Sequence, residues 1–117
     1  MFKMYFLVKD SIDNGHAITS VAHGSIMCYK KFIDDPDMIK WNIESFRKVV
    51  CKVNDKQFEK AKEYGNYVIV TESGLGGIEV AIVFCPGVET KEGINFFKSL
   101  PLWKWGEYKW LADHKLI

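Results

Sequence analysis

Met4-Tyr5-Phe6-Leu7-Val8-Lys9-Asp10-Ser11-Ile12-Asp13-Asn14-Gly15-His16-Ala17-Ile18-Thr19-Ser20-Val21-Ala22-His23-Gly24 carries the chain from one regular element into another. Residues 4–8 are apolar at every position, which suits a central strand buried on both faces. The turn Asp13-Asn14-Gly15 then opens a helix, with Asn14 or Asp13 as its N-cap, and apolar spacing runs on through Tyr29 to Phe32 or Ile33. Helical periodicity gathers His16, Thr19, Ser20 and His23 into one polar stripe and turns Ile18, Val21, Ala22 and Ile26 toward a core. A rise of about 1.5 Å per residue sets the two imidazoles roughly 10 Å apart. Metal–histidine bonds are about 2 Å long, so the pair marks two points along a groove and not a metal clamp.

Working outward, Asp34-Asp35-Pro36-Asp37 ends this helix, and residues 38–46 hold a short helix carrying Trp41 as an insertion. Lys48-Val49-Val50-Cys51-Lys52-Val53 reads as a second, β-branched strand. Asn54 and Gln57 follow with capping-box spacing and open a second main helix with Phe58, Ala61 and the stem of Lys62 inward, stopped by Gly65-Asn66. Residues 67–71 form a third strand and residues 79–84 a fourth. The Gly-rich Ser73-Gly74-Leu75-Gly76-Gly77 between them is short enough for antiparallel neighbours. After the break at Cys85-Pro86-Gly87, residues 90–100 read as a helix with Ile94 and Phe97 inward. The order β-α-β-α-β-β-α implies an α/β fold, a three-layer α/β/α domain with a small mixed four-stranded sheet.

Composition narrows the function classes. A chain of 117 residues, 48% apolar and 15% aromatic, suits one globular domain, residues 1–117, with residues 101–117 as a Trp-rich C-terminal extension. The net charge of +1 gives no global signal for nucleic acid. Lys30-Lys31, Arg47-Lys48 with Lys52, and Lys104 with Lys109 form either a basic face or ordinary solvated positions. Cys28, Cys51 and Cys85 lie far apart among apolar residues, which fits buried free thiols in a reducing compartment better than disulfides or zinc. No apolar run approaches the roughly 20 residues of a membrane span, so a soluble cytoplasmic protein without a membrane partner is expected.

These elements and residues resemble the type II peptidyl-tRNA hydrolases. That family carries G-K-x-x-A-Q-x-x-H-A where this chain has Gly15-His16 and His23. It carries R-D-A-G-x-T-Q where this chain has Thr71-Glu72-Ser73-Gly74-Leu75-Gly76-Gly77, and G-P near Cys85-Pro86-Gly87. The similarity covers about residues 3 to 87. Gly15 and His23 match the family. His16 stands at its lysine, Ser20 at its glutamine, Glu72 at its aspartate, and Gly76 and Gly77 at its threonine and glutamine.

The resemblance implies hydrolysis of the ester joining a peptide or aminoacyl group to the 3′ ribose of tRNA. It places His23, Glu72 and His16 as catalytic candidates, with Asp10, Lys9, Ser20, Gly74 and Gly76 beside them as substrate-binding residues. Histidine and glutamate can each act as a general base on water, and histidine can be neutral or cationic near neutral pH. Gly76-Gly77 either offers backbone N–H groups to an anion or permits a tight turn. No metal and no cofactor is called for. The implied partner is tRNA, and family analogy leaves room for a homodimer. The alternative is a non-catalytic member of the same fold that binds RNA or protein through the old groove or the Trp-rich tail. In that tail, Trp103, Trp105 and Trp110 either stack on unpaired bases or close the core or a dimer interface.

Overall fold

A computed structural model describes residues 2–90 and 93–104. The strand β1 (Lys3–Lys9) leads into the long helix α1 (Asn14–Lys31), a short helix α2 (Pro36–Lys40) and one π-helical turn (Trp41–Ser45). Then come β2 (Arg47–Val53), α3 (Asp55–Ala61), β3 (Tyr67–Glu72), a 3-10 turn (Ser73–Leu75), β4 (Ile78–Phe84), a second 3-10 turn (Val88–Thr90) and α4 (Ile94–Ser99). The sheet order is β2-β1-β4-β3, with β1 parallel to β2 and β4 antiparallel to both of its neighbours. The mixed sheet and the antiparallel β3–β4 pair are those expected from the strand spacing. Trp103 extends this sheet, because its N–H donates to Val50 O at 2.9 Å and Lys52 N–H donates to Pro101 O at 2.9 Å.

Alternation along the strands separates two cores. Met4, Phe6, Val8, Val68, Val70 and Val83 meet α1 and Trp41 on one face. Tyr5, Leu7, Cys51, Val53, Ile82 and Phe84 meet Phe58, Ala61 and Phe97 on the other. Helices on both faces explain why residues 4–8 are apolar without alternation. The capping box forms as expected, with Gln57 N–H donating to Asn54 Oδ1 and Asn54 N–H donating to Gln57 Oε1. All three cysteines are buried free thiols. Trp103 is buried with Nε1 donating to Asn14 Oδ1 at 3.1 Å, so it closes the core, whereas residues 105–117 of the extension lie outside the described residues.

Two expectations about helix faces are corrected. The buried residues of α1 are Ala17, Ser20, Gly24 and Cys28, while Ile18 and Ile26 are more than half exposed. The cause is distance: a Cβ at Gly24 would collide with Val83 Cγ2 and lie 3.0 Å from Val70 Cγ2. A helix seated that low on a sheet presents small residues to it, and the large ones are left on the rim. In α4, Phe97 is buried as expected but Ile94 stands over one-third exposed. Ile26 is not idle surface, since with Tyr29 and, just beyond the helix, Ile33 it lines a groove with Trp41, Phe46 and Lys48. No helix among the described residues is long and apolar enough to cross a membrane.

Candidate active site

The site lies where β1 and β2 end and β3 turns into β4, the edge of a parallel pair at which α/β folds bind ligands. Glu72 reaches it through strand register. Val68 and Val70 face the α1 core, so Glu72, two residues further on, points to the same side. A β-bulge intervenes: Val70 pairs with Ala81 but Thr71 pairs with Glu79, leaving Val80 as the extra residue of β4. Bulges of this kind re-aim side chains at the ends of sheets. Beyond the bulge, Glu72 caps the 3-10 turn, its Oε1 accepting from Gly74 N–H at 3.0 Å.

His16 comes to the same place from the first turn of α1. Asp13 is the N-cap, and its Oδ2 accepts from His16 N–H at 3.2 Å while its Oδ1 lies 2.6 Å from His16 Nδ1. The other ring nitrogen faces the β3–β4 connection. A Cβ built on Gly74 would sit 3.5 Å from His16 Nε2 and 3.3 Å from Glu72 Oε1, so the hydrogen of Gly74 keeps open a space that both groups border. The hydrogen bond to Asp13, assisted by the negative charges of Asp13 and Glu72, raises the pKa of His16 above its ordinary value. Reciprocally, the hydrogen bonds from His16 hold the Asp13 carboxyl below the usual range.

The remaining candidates divide by position. His23 is exposed two turns along α1, and its side chain makes no hydrogen bond or ion pair among the described residues. Ser20 is fully buried, and its hydroxyl donates to His16 O at 2.7 Å, so it touches the site only through the backbone that carries His16. Asp10 is exposed at the end of β1, its N–H donating to Val53 O at 2.8 Å. The Lys9 ammonium lies 4.6 Å above the Phe58 ring, on the α3 side of the sheet.

Gly76 and Gly77 have φ of +77° and +78°, and their N–H groups donate to Ser73 O and Glu72 O. Both amides are therefore spent on a tight turn, and the anion-cradle alternative is overturned. Burial pushes the Cys28 and Cys85 thiols up to about 12 and Cys51 up to about 11, so none supplies a thiolate near neutral pH.

Asp13 is a neighbour of His16 that the family resemblance does not name. Its signal was present: an N-cap acid three residues before a histidine places that histidine at N3, within reach of the cap's second oxygen.

A family model described as peptidyl-tRNA hydrolase PTH2 matches residues 2–95. The chain belongs to that family. No curated protein matches it. In this peptidyl-tRNA hydrolase family member, the match takes in all four strands, α1 and the β3–β4 connection, and so includes His16, His23 and Glu72. The space at Gly74 gives a direct test of whether the cleft is used. Gly74 lies outside the left-handed region, and a Cβ there would press only on the flexible end of Glu72 at 3.3 Å, so Gly74→Val is expected to fold with a thermal midpoint at most a few degrees lower while filling the gap between Glu72 and His16 and slowing hydrolysis. Melting curves and ester-hydrolysis rates measured on the same preparation check both halves of the prediction.

Proposed function

We propose that this chain hydrolyses the ester between a peptidyl or aminoacyl group and the 3′ ribose of tRNA, in the cleft bordered by His16, Glu72 and Gly74. The observation that carries the reading is the approach of His16 Nε2 and Glu72 Oε1 to one small space, within the part of the chain that matches the family. A water in that space loses a proton to His16 Nε2 as its oxygen bonds to the ester carbonyl carbon. The tetrahedral oxyanion then collapses, the bond to the ribose 3′ oxygen breaks, and the proton on His16 passes to that oxygen. Glu72, held by the Gly74 N–H, orients the water and favours the imidazolium that forms as the proton moves. His23 lies along the same helix face, about 10 Å away, at a distance suited to contacting the rest of the substrate.

This reading places the protein in translation and in the cytoplasm. Purified protein incubated with N-acetylaminoacyl-tRNA is expected to release the N-acetylated amino acid faster than buffer does. Release no faster than background at micromolar protein would sink the enzymatic reading.

One observation favours the second reading, a binding module. The groove beside α1 offers the exposed Ile26, Ile33 and Phe46 above the buried Trp41, with Lys30 and Lys48 at its rim. If the chain proves inactive but retains tRNA, the salt dependence of that binding separates phosphate contacts, which weaken steeply with salt, from apolar ones.

A further inference from the structure

We infer that Asp13 is a positioning residue for His16: its carboxylate fixes the imidazole with the proton on Nδ1 and so presents the Nε2 lone pair to the cleft at Gly74 and Glu72. The inference rests on the hydrolase reading for its kinetic consequence, but its geometry stands alone. Asp13 is bidentate toward one residue, with Oδ2 on the backbone N–H of His16 and Oδ1 on its Nδ1. An ionised carboxylate only accepts hydrogen bonds, so a 2.6 Å contact requires the donor to be Nδ1–H. The opposite nitrogen is then the acceptor in the neutral ring. It is also the one 3.5 Å from the position a Gly74 Cβ would occupy.

The second hydrogen bond makes this more than a surface ion pair. Because the cap anchors the carboxylate to the first turn of α1, the ring is held against the same turn, and neither partner must be ordered separately. Two charged groups act on the imidazole: Asp13 on its own turn and Glu72 from the end of β3. Both favour the protonated ring, so His16 titrates above its ordinary midpoint of about 6.5. Where the family carries a lysine, this chain thus carries a histidine with its own orienting acid. That pairing supplies a base whose strength Asp13 sets.

Asparagine at position 13 separates orientation from capping. It remains a good N-cap, but it has one acceptor oxygen, and the cap takes it. The ring then faces an amide N–H donor, which selects the opposite tautomer. Serine at the same position also keeps the cap and leaves the ring without a partner. The measurement is the imidazole nitrogen signals of His16 in 15N-labelled protein across its titration, for the native chain, Asp13→Asn and Asp13→Ser.

The native chain is expected to show the proton on Nδ1. Asp13→Asn is expected to move it to Nε2, and both variants should titrate at lower pH. On N-acetylaminoacyl-tRNA, Asp13→Asn should lower kcat by about 10- to 1000-fold at unchanged KM, less than the roughly 10,000-fold known for a buried triad aspartate because this pair is solvated. A native ring protonated on Nε2, or a tautomer and titration that Asp13→Asn leaves unmoved, overturns the inference. An inactive native chain sinks the hydrolase reading instead, and the nitrogen signals still decide the role of Asp13.

Discussion

Replacing His16 by alanine is expected to reduce kcat/KM for N-acetylaminoacyl-tRNA by about 100- to 10,000-fold, the range over which a positioned general base acts. The loss should appear in kcat, because the ring's contribution arises as the water is deprotonated and not as the substrate docks. The fold should not register the change. His16 N–H still donates to the Asp13 cap when the ring is gone, and the half-exposed side chain fills no part of either core. The native pH profile supplies the sign. A base must be neutral to accept a proton, so activity should rise as pH increases through the His16 midpoint, and the direction of its shift puts that limb above the ordinary histidine value. The family residue gives the sharpest control: His16→Lys installs a group that stays cationic throughout the neutral range. If His16 acts as a base, His16→Lys should be as impaired as His16→Ala. A lysine variant as active as the native chain would show instead that position 16 contributes positive charge, and it would remove the base role proposed for His16.

Local signals in the sequence are legible where neighbouring residues suffice to fix the element. Asn54 and Gln57 announce a capping box by spacing alone, and both of its hydrogen bonds are present. Residues 4–8 announce a strand covered on both sides, and the two cores divide its side chains. Position relative to the sheet was less legible. Hydrophobicity assigned Ile18 and Ile26 to the core of α1, whereas contact distance assigns Ala17, Ser20, Gly24 and Cys28 there. A helix periodicity cannot distinguish a wide apolar face that packs from one left on the rim, because the depth of the helix on the sheet depends on partners far away in the chain. The site shows the same division. His16 stands out in the polar stripe of α1 and Glu72 through family resemblance, but their approach across Gly74 depends on the β3–β4 bulge and on how low α1 sits. The pair Asp13–His16 is local and legible from cap position, because an N-cap acid stands three residues before the histidine.

Gly24 therefore tests the fold and the site together. Its Cα faces the sheet where Val83 and Val70 meet, and a methyl group there must displace one of their Cγ2 atoms or lift the helix. Alanine in place of a mid-helix glycine ordinarily gains about 1 kcal/mol in helix propensity. Here that gain opposes an overpacking cost of about 1–3 kcal/mol, so Gly24→Ala should be neutral to moderately destabilising. Gly24→Val adds β-branched bulk without the full propensity gain and should lie at or beyond the upper end of that cost. For a chain of 117 residues, each kcal/mol corresponds to about 4 °C in Tm, so the valine variant should melt at least several degrees below the native chain. Val83→Ala, combined with Gly24→Ala, should recover part of the alanine variant's loss, since the two positions share one contact and need not behave additively. Denaturant midpoints for the three variants measure all of this. A Gly24→Val protein as stable as the native one would mean that α1 does not approach the sheet so closely. The consequence for chemistry follows from the same geometry. Lifting α1 carries Asp13 and His16 away from Glu72, which is fixed to the sheet, and a displacement of about 1 Å between reacting groups can cost roughly 100-fold in rate. Gly24→Ala, measured where it remains folded, should thus lose activity although residue 24 lies eight positions from His16 and is buried on the sheet-facing side of the helix. His16 and Glu72 would be intact in that variant, so the size of the loss reads directly how much of the site is built by the depth of one helix.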